Sequence, residues 1–299
     1  MKREENDAFS RCHPAVGFFF FVGAIGLGAL ILHPAYILVS GIFAVTYYCL
    51  LKGLKGMKMV AISIPLFLFL TFANPLVNHD GERILTYVFG KPYTFEALLY
   101  GMVIAGMLIA MLLWAGCYNA VMTSDKFMTL FGGIIPTVSM LLLMVLRLVP
   151  NMIRKTGQLA GARKCIGRGA AENATRKEKA VDVLNVISAL LTWALEGGVI
   201  TADSMKSRGY GAAQRTAFQT HTMKTADRVL LGIMGGLAVM IAVLIARGGT
   251  AADYTPIMDI TPVTGGYWWG FAAYCVFLSL PTVLYIKEAI QWRISRSRI

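Results

Sequence analysis

Long apolar runs separated by short polar breaks dominate the chain, and they predict its architecture. Runs with few or no charges cover residues 16–32, 35–51, 59–77 and 95–118, and two more cover 229–246 and 267–286. At ~1.5 Å per residue, each approaches or exceeds the length needed to cross a bilayer core as a helix. The breaks carry the chemistry of helix ends: His33-Pro34 after the first run, a basic loop of Lys52, Lys55 and Lys58 after the second, and Asn74-Pro75 closing the third. Pro65, inside the third run, predicts a kink that neighbouring helices tolerate. Residues 83–89 alternate loosely, with β-branched and aromatic side chains, and predict a short strand or hairpin behind an Asp80-Gly81 turn. Small residues four apart, at Gly101/Ala105, Gly106/Ala110, Gly232/Gly236 and Gly266/Gly270, mark candidate close approaches between helices. The fold class is therefore all-α: a polytopic membrane protein with about six transmembrane helices. Four spans belong to residues 1–119, a long helical segment to 120–226, and two closing spans with a basic tail to 227–299.

The segment 120–226 breaks the pattern. It opens with Thr123-Ser124-Asp125-Lys126, then has an uncharged run at 127–146 that is long enough to span. A shorter apolar run, 181–195, carries Asp182, Asn185, Ser188 and Thr192 at spacings of three and four, continued by Glu196. That spacing predicts one narrow polar stripe on an otherwise buried helix. Residues 199–208 then read as a short helix, entered through Gly197-Gly198 and left through Gly209 and Gly211. Glycine just past a helix end adopts the left-handed conformation without penalty. Arg208 would thus form a helix tip, with Asp203 and Lys206 one turn behind it. A planar guanidinium at a tip suits bidentate capture of a carboxylate on another surface. The plainer alternative is a surface helix whose Lys206 and Arg208 complement its own dipole.

Charge decides how this segment sits. Of the 299 residues 57% are hydrophobic and 15% charged, against about 25% charged in soluble domains. A net charge of +12 would suggest nucleic acid in a soluble protein; here the positives mark cytoplasmic loops, and no nucleic-acid partner is expected. With six spans and both termini cytoplasmic, only Arg83, Lys91 and Arg247 of the 28 lysines and arginines fall outside. Letting 127–146 and 181–195 both cross would carry the positives from Arg147 to Lys179 outward. Both are therefore expected as helices at or partly within the cytoplasmic face. The first run, without a convincing small-residue cleavage site, reads as a retained span.

Candidate chemistry is sparse. The cysteines (Cys12, Cys49, Cys117, Cys165, Cys275) and histidines (His13, His33, His79, His221) are scattered, which supports neither disulfides nor a metal site. The histidines read as loop or interfacial residues. No phosphate-cradling Gly-Lys-Ser/Thr loop is present, so ATP hydrolysis is not expected in this chain. Glu96 and Glu288 sit at span ends, where interfacial anchoring is their expected role.

Two stretches carry a family resemblance. Arg147-Leu148-Val149-Pro150 opens a long polar segment, and Ala202-Asp203-Ser204-Met205-Lys206-Ser207-Arg208-Gly209-Tyr210-Gly211 closes it. Together with the spans on either side, this resembles the transmembrane T component of energy-coupling factor (ECF) type ABC transporters, over essentially the whole chain. In that family two cytoplasmic helices each end in a small-Arg-Gly motif that docks into a groove on one of two ATPase subunits. The resemblance implies that Ser207, Arg208 and Gly209 form the second motif, with Ser where Ala is commonest. The first reads Ala162-Arg163-Lys164-Cys165-Ile166-Gly167-Arg168-Gly169. Gly167, Arg168 and Gly169 match it best; Arg163 also follows a small residue but precedes Lys164. Arg147, Pro150, Arg163 and Asp203 would support the two docking ends.

The resemblance further implies a non-catalytic scaffold in the plasma membrane. Its partners would be two ABC ATPase subunits, a small membrane S component that binds a vitamin, micronutrient or metal ion, and the bilayer. ATP and Mg would belong to the ATPases, with no cofactor in this chain. Two rival classes remain. A membrane enzyme acting on a lipid-linked substrate would need paired acids, for which Asp80/Glu82 and Asp253/Asp259 are the outside candidates. A self-contained secondary transporter would need inverted repeats with broken helices and buried ion ligands, and no convincing internal repeat is seen.

Overall fold

A computed structural model describes residues 8–78, 81, 83–88, 91–131, 136–167, 169, 175–212, 223–254 and 259–296. The chain forms ten helices among these residues, with two short hairpins: α1 Ala8–Arg11, α2 Pro14–Leu30, α3 Pro34–Lys52, α4 Leu54–Val77, β1 Ile84–Val88, β2 Lys91–Thr94, α5 Phe95–Val121, α6 Ser124–Phe131, α7 Pro136–Cys165, α8 Arg176–Ser207, α9 Thr225–Ala246, β3 Ala252–Asp253, β4 Asp259–Ile260 and α10 Trp268–Arg296. The protein is an all-α, multi-pass membrane protein. Six helices are long and apolar enough to cross: Pro34–Lys52, Gly56–Val77, Phe95–Val121, Arg176–Ser207, Thr225–Ala246 and Gly265–Trp292. Two of these results differ from the sequence reading. The first run folds as Pro14–Leu30, only 17 residues and at the lower limit for a span. Arg176–Ser207 qualifies by length and composition where a shorter run was expected.

The chain divides into two compact units. One comprises Met1–Phe127 and His221–Ile299, so the first four runs and the two closing spans build one body. Aromatic rings from α1, α2, α5 and α10 fill its centre. Phe20, almost wholly enclosed, meets Trp114 edge-on at 5.4 Å and stacks on Phe277 at 5.3 Å. Phe9 of α1 packs edge-on against Phe20 at 5.4 Å. The indole nitrogen of Trp114 would be an unpaired donor in this apolar centre; it donates to Ser40 Oγ at 3.1 Å.

The small-residue pairs split in an informative way. A side chain at Gly101 would lie 2.7 Å from Asn74 Cβ and 2.9 Å from the Thr71 carbonyl, so α4 and α5 touch backbone to backbone there. Gly270 likewise admits Leu244 of α9 against α10. Gly232, Gly236 and Gly266 face open space, so their spacing carries no contact within the chain.

Histidines cap the first two spans. His13 and His33 each precede Pro-Ala, and each Nδ1 accepts the N–H of the alanine at 3.2 Å. With Nδ1 accepting, Nε2 of the buried His33 donates to the Thr261 carbonyl at 3.0 Å. The basic loop expected at Lys52–Lys58 shrinks to a reversal at Gly53 (φ 57), because Leu54 already starts α4. The hairpin expected near residues 83–89 is present: β1 pairs antiparallel with β2. Glu96 braces it, its Oε2 accepting the Arg83 N–H at 3.2 Å. Glu288 holds Arg11 Nη1 at 2.9 Å. Both glutamates thus do more than anchor span ends.

The second unit comprises Met128–Thr220 and holds α7 and α8. Arg163 meets Asp182 and Lys155 meets Trp193, a pairing order that runs the two helices antiparallel as a hairpin. The uncharged run 127–146 is divided between α6 and α7, and Pro136 opens α7, where a missing N–H is harmless. Gly197-Gly198 does not start a new helix. α8 runs through it unbroken, and Thr201 Oγ1 bonds back to the Gly197 carbonyl at 2.6 Å. Two glycines cost a helix about 1 kcal/mol each relative to alanine, too little to break one this long. Among the described residues the burial expected from its polar stripe is not seen: Leu184, Leu191 and Leu195 are all more than half exposed.

Candidate functional site

The C-terminal end of α8 is a helix stop of defined geometry. Arg208 occupies the cap position (φ −83, ψ 7) and Gly209 turns left-handed at φ 78. The Gly209 N–H bonds the Lys206 carbonyl at 3.0 Å, and the Tyr210 N–H bonds the Met205 carbonyl at 3.1 Å. This is the Schellman arrangement, in which glycine avoids the steric penalty at the left-handed residue. Gly211, at φ 88, repeats the left-handed turn. Ser207 turns its hydroxyl back to the Ser204 carbonyl at 3.0 Å, so the residue before Arg208 presents a small, internally satisfied side chain. Arg208, Asp203, Lys206 and Tyr210 are exposed. Arg208 takes part in no ion pair among the described residues. The expected tip is therefore present: a cationic fork at a glycine-stopped end, beside an exposed phenol.

The end of α7 shares the stop but not the residue before it. Cys165 is the last helical residue, Gly167 is left-handed at φ 70, and its N–H bonds the Lys164 carbonyl at 3.1 Å. The Gly169 N–H reaches the Arg163 carbonyl at 3.0 Å. Gly167 thus matches Gly209, which places exposed Ile166, not an arginine, at the position equivalent to Arg208. Arg163 lies in the last turn, with Nε donating to Asp182 Oδ1 at 2.8 Å and both side chains largely covered. It fastens α7 to α8. Arg168 lies outside the described residues. Arg147 and Pro150 lie within α7, both exposed and about three turns or more before its end.

The acid pairs that a membrane enzyme would need are not gathered into a centre. Asp253 and Asp259 face each other across the β3–β4 ladder, both exposed, an arrangement in which like charges repel. Asp80 and Glu82 lie outside the described residues. Among the described residues, no three metal-ligating side chains converge.

Some ties were invisible in the sequence. Lys126 Nζ donates to the Ser10 carbonyl at 2.6 Å, to Ser10 Oγ at 2.7 Å and to the Val121 carbonyl at 3.0 Å. It satisfies oxygens at the ends of both α1 and α5. Its place just past a helix end was the available signal, since lysine there bonds the last carbonyls. The other tie is Tyr254, whose hydroxyl donates to the Leu32 carbonyl at 2.9 Å. Burial, with the Tyr100 phenol beside it, pushes its pKa up to about 12, so it remains a donor at neutral pH. With His33–Thr261, this contact pins the loop before α10 to the turn between α2 and α3. No protein-family model matches the chain, and no curated protein matches it, so its functional reading rests on its own residues and their geometry.

Proposed function

We propose that this protein is the transmembrane scaffold of an ECF-type ABC importer, coupling two ATPase subunits to a small membrane subunit that captures a vitamin, micronutrient or metal ion. The observation that carries the reading is the α8 end: an exposed Arg208 on a Schellman stop, after a small residue whose hydroxyl is turned away. A helix end of this shape enters a groove without a bulky neighbour, and its fork fixes direction as well as distance to a carboxylate. The basic α7–α8 unit favours an acidic partner surface. Because Arg163 is engaged with Asp182, Arg168 is the better candidate for the second docking cation. α7 and α8 stay on the cytoplasmic side in this reading, although α8 is long enough to span. Its ends carry Arg176, Lys177 and Lys179 at one side and Lys206 and Arg208 at the other, and crossing would export one group.

Cys165, exposed at the end of α7, tests the orientation without an engineered label. With the other four cysteines replaced, a membrane-impermeant maleimide is expected to modify it in inside-out vesicles and not in intact cells. Labelling from the cell exterior would overturn the cytoplasmic placement.

The partner claim is tested by co-expression with a pair of ABC ATPases encoded beside this chain. The ATPases are expected to co-purify with it after gentle detergent extraction, and ATP turnover to require them. Turnover by the purified chain alone, or failure of the co-expressed ATPases to associate, rules the scaffold out.

A further inference from the structure

A groove of about 580 Å³ opens on the surface formed by α3, α4 and α5. Three helical stripes build it. On α3, Ile37, Gly41 and Val45 follow one face, and on α4, Val60, Ile64 and Phe67 do the same. α5 supplies a floor that includes the nearly buried Val103, Ala110 and Leu113. Gly41 deepens the trough, since nothing lies within 4 Å of where its side chain would be.

The chemistry of the lining selects its occupant. Its two hydroxyls are already spent: Thr46 Oγ1 donates to the Ile42 carbonyl at 2.7 Å, and Ser63 Oγ to the Val60 carbonyl at 2.7 Å. The lining residues keep no charge and no free hydroxyl proton for a polar ligand, so the groove favours a hydrocarbon. Along α3 the lining runs from Pro34 to Thr46, which is ~18 Å of helix. That matches one leaflet of hydrocarbon, ~15 Å deep, rather than the full bilayer. One mouth is basic: Lys52 lies two turns on from Val45 along the groove-facing stripe of α3, and its ammonium reaches back over the Tyr48 ring, 5.4 Å from the ring centre. A phosphate at that mouth with a chain running into the groove satisfies both features.

We propose that this groove is a resident phospholipid site, with one acyl chain between α3, α4 and α5 and the headgroup phosphate at Lys52. It rests on the membrane unit alone and is independent of the transport reading. The tight α4–α5 contact at Gly101 gives the trough a fixed wall, whereas a lipid at an ordinary helix face exchanges freely.

The test is phospholipid retained per chain, read by native mass spectrometry after extensive washing in a lipid-free mild detergent. The wild-type chain is expected to keep one phospholipid. Gly41→Leu, which projects into the trough, is expected to lower retention by about tenfold. Gly26→Leu places the same bulk on an open face of α2 and is expected to leave retention unchanged. Lys52→Glu is expected to weaken retention while the fold melts normally. If Gly41→Leu fails to fold, Ile42→Trp at the exposed rim serves as the blocking variant. A wild-type chain stripped of phospholipid, or blocking variants that retain it as well as wild type, overturns the site. Indifference to Lys52→Glu overturns the headgroup assignment. Crosslinking of the Gly41→Cys variant to a co-purified membrane polypeptide instead of a maleimide-bearing lipid overturns the choice of occupant.

Discussion

Arg208→Ala is expected to abolish productive docking of the ATPase partner while the chain still inserts and keeps its fold. Among the described residues no ion pair depends on this side chain, which is exposed. The loss falls on the partner. Truncating one side of a desolvated, hydrogen-bonded charge pair costs about 2–5 kcal/mol, much of it from the acid left unpaired. At ~1.4 kcal/mol per decade this is roughly a thirty- to several-thousand-fold fall in docking affinity. Arg208→Lys keeps the charge and loses the fork, so it should rescue only in part. Lys206→Ala removes a neighbouring exposed charge and should matter little. The measurement is ATPase association by surface-immobilised titration, paired with uptake in cells. Arg168→Ala should weaken both in the same direction, without the same size, because two docking points on one scaffold act through avidity. Uptake intact in Arg208→Ala but lost in Lys206→Ala would move the docking role to the wrong side of the helix end. Uptake intact in all three alanine variants would remove the coupling role altogether.

Trp114→Ala is expected to be the most destabilising single truncation in the membrane unit, by about 3–5 kcal/mol. The indole, on α5, is 1% exposed and touches rings from α2 and α3: Phe20 at 5.4 Å, Phe21 at 6.4 Å and Tyr47 at 6.4 Å. Within a bilayer the gain from burying such a ring is packing against protein rather than escape from water. A void there forfeits the dispersion contacts on one side of every lining ring. Trp114→Phe separates the parts: it keeps most of the ring contact and removes the donor to Ser40, with a smaller expected loss of about 1 kcal/mol. Thermal unfolding in a fixed detergent, followed by thiol exposure of the buried Cys117, reads both variants. An alanine variant that melts with wild type would show that the aromatic centre is not what holds α2, α3 and α5 together.

How much was legible in the sequence follows from which forces are local. The bilayer demands a continuous apolar run wherever a helix crosses, so α3, α5 and α9 were visible within a few residues of their ends. The hairpin before α5 was visible because alternation and turn residues are read over a handful of positions. The stops at Gly209 and Gly211 were visible because a left-handed residue after a helix is nearly a glycine signature. The path of the chain through Gly197-Gly198 was not. Local preference there favours a break by a small margin, and the surrounding helix outweighs it. The Lys126–Ser10 clamp was hidden for a different reason: its partners are 116 residues apart, and no pattern in either stretch points to the other. The site shows the same division. The shape of one docking end could be read from ten consecutive residues. The pairing of Arg163 with Asp182, which removes one of two candidate cations from the tip, depends on how α7 and α8 come together.

In the coupling role proposed above, the unbroken course of α8 would make it a lever. Thirty-two residues in one helix form a rod of about 48 Å. A rotation of about 5° around one end sweeps the other through roughly 4 Å, about three quarters of a helical turn. The rod is not uniformly stiff. Gly197 and Gly198 stand roughly 15 Å from the Arg208 end, and with no side chains to wedge neighbouring turns they form its most compliant section. Torque applied at the tip is thus partly absorbed by bending at this pair before it reaches the Arg176 end. In that role the two glycines would act as a spring in series with the arm, setting how much of each stroke is delivered and how much is returned.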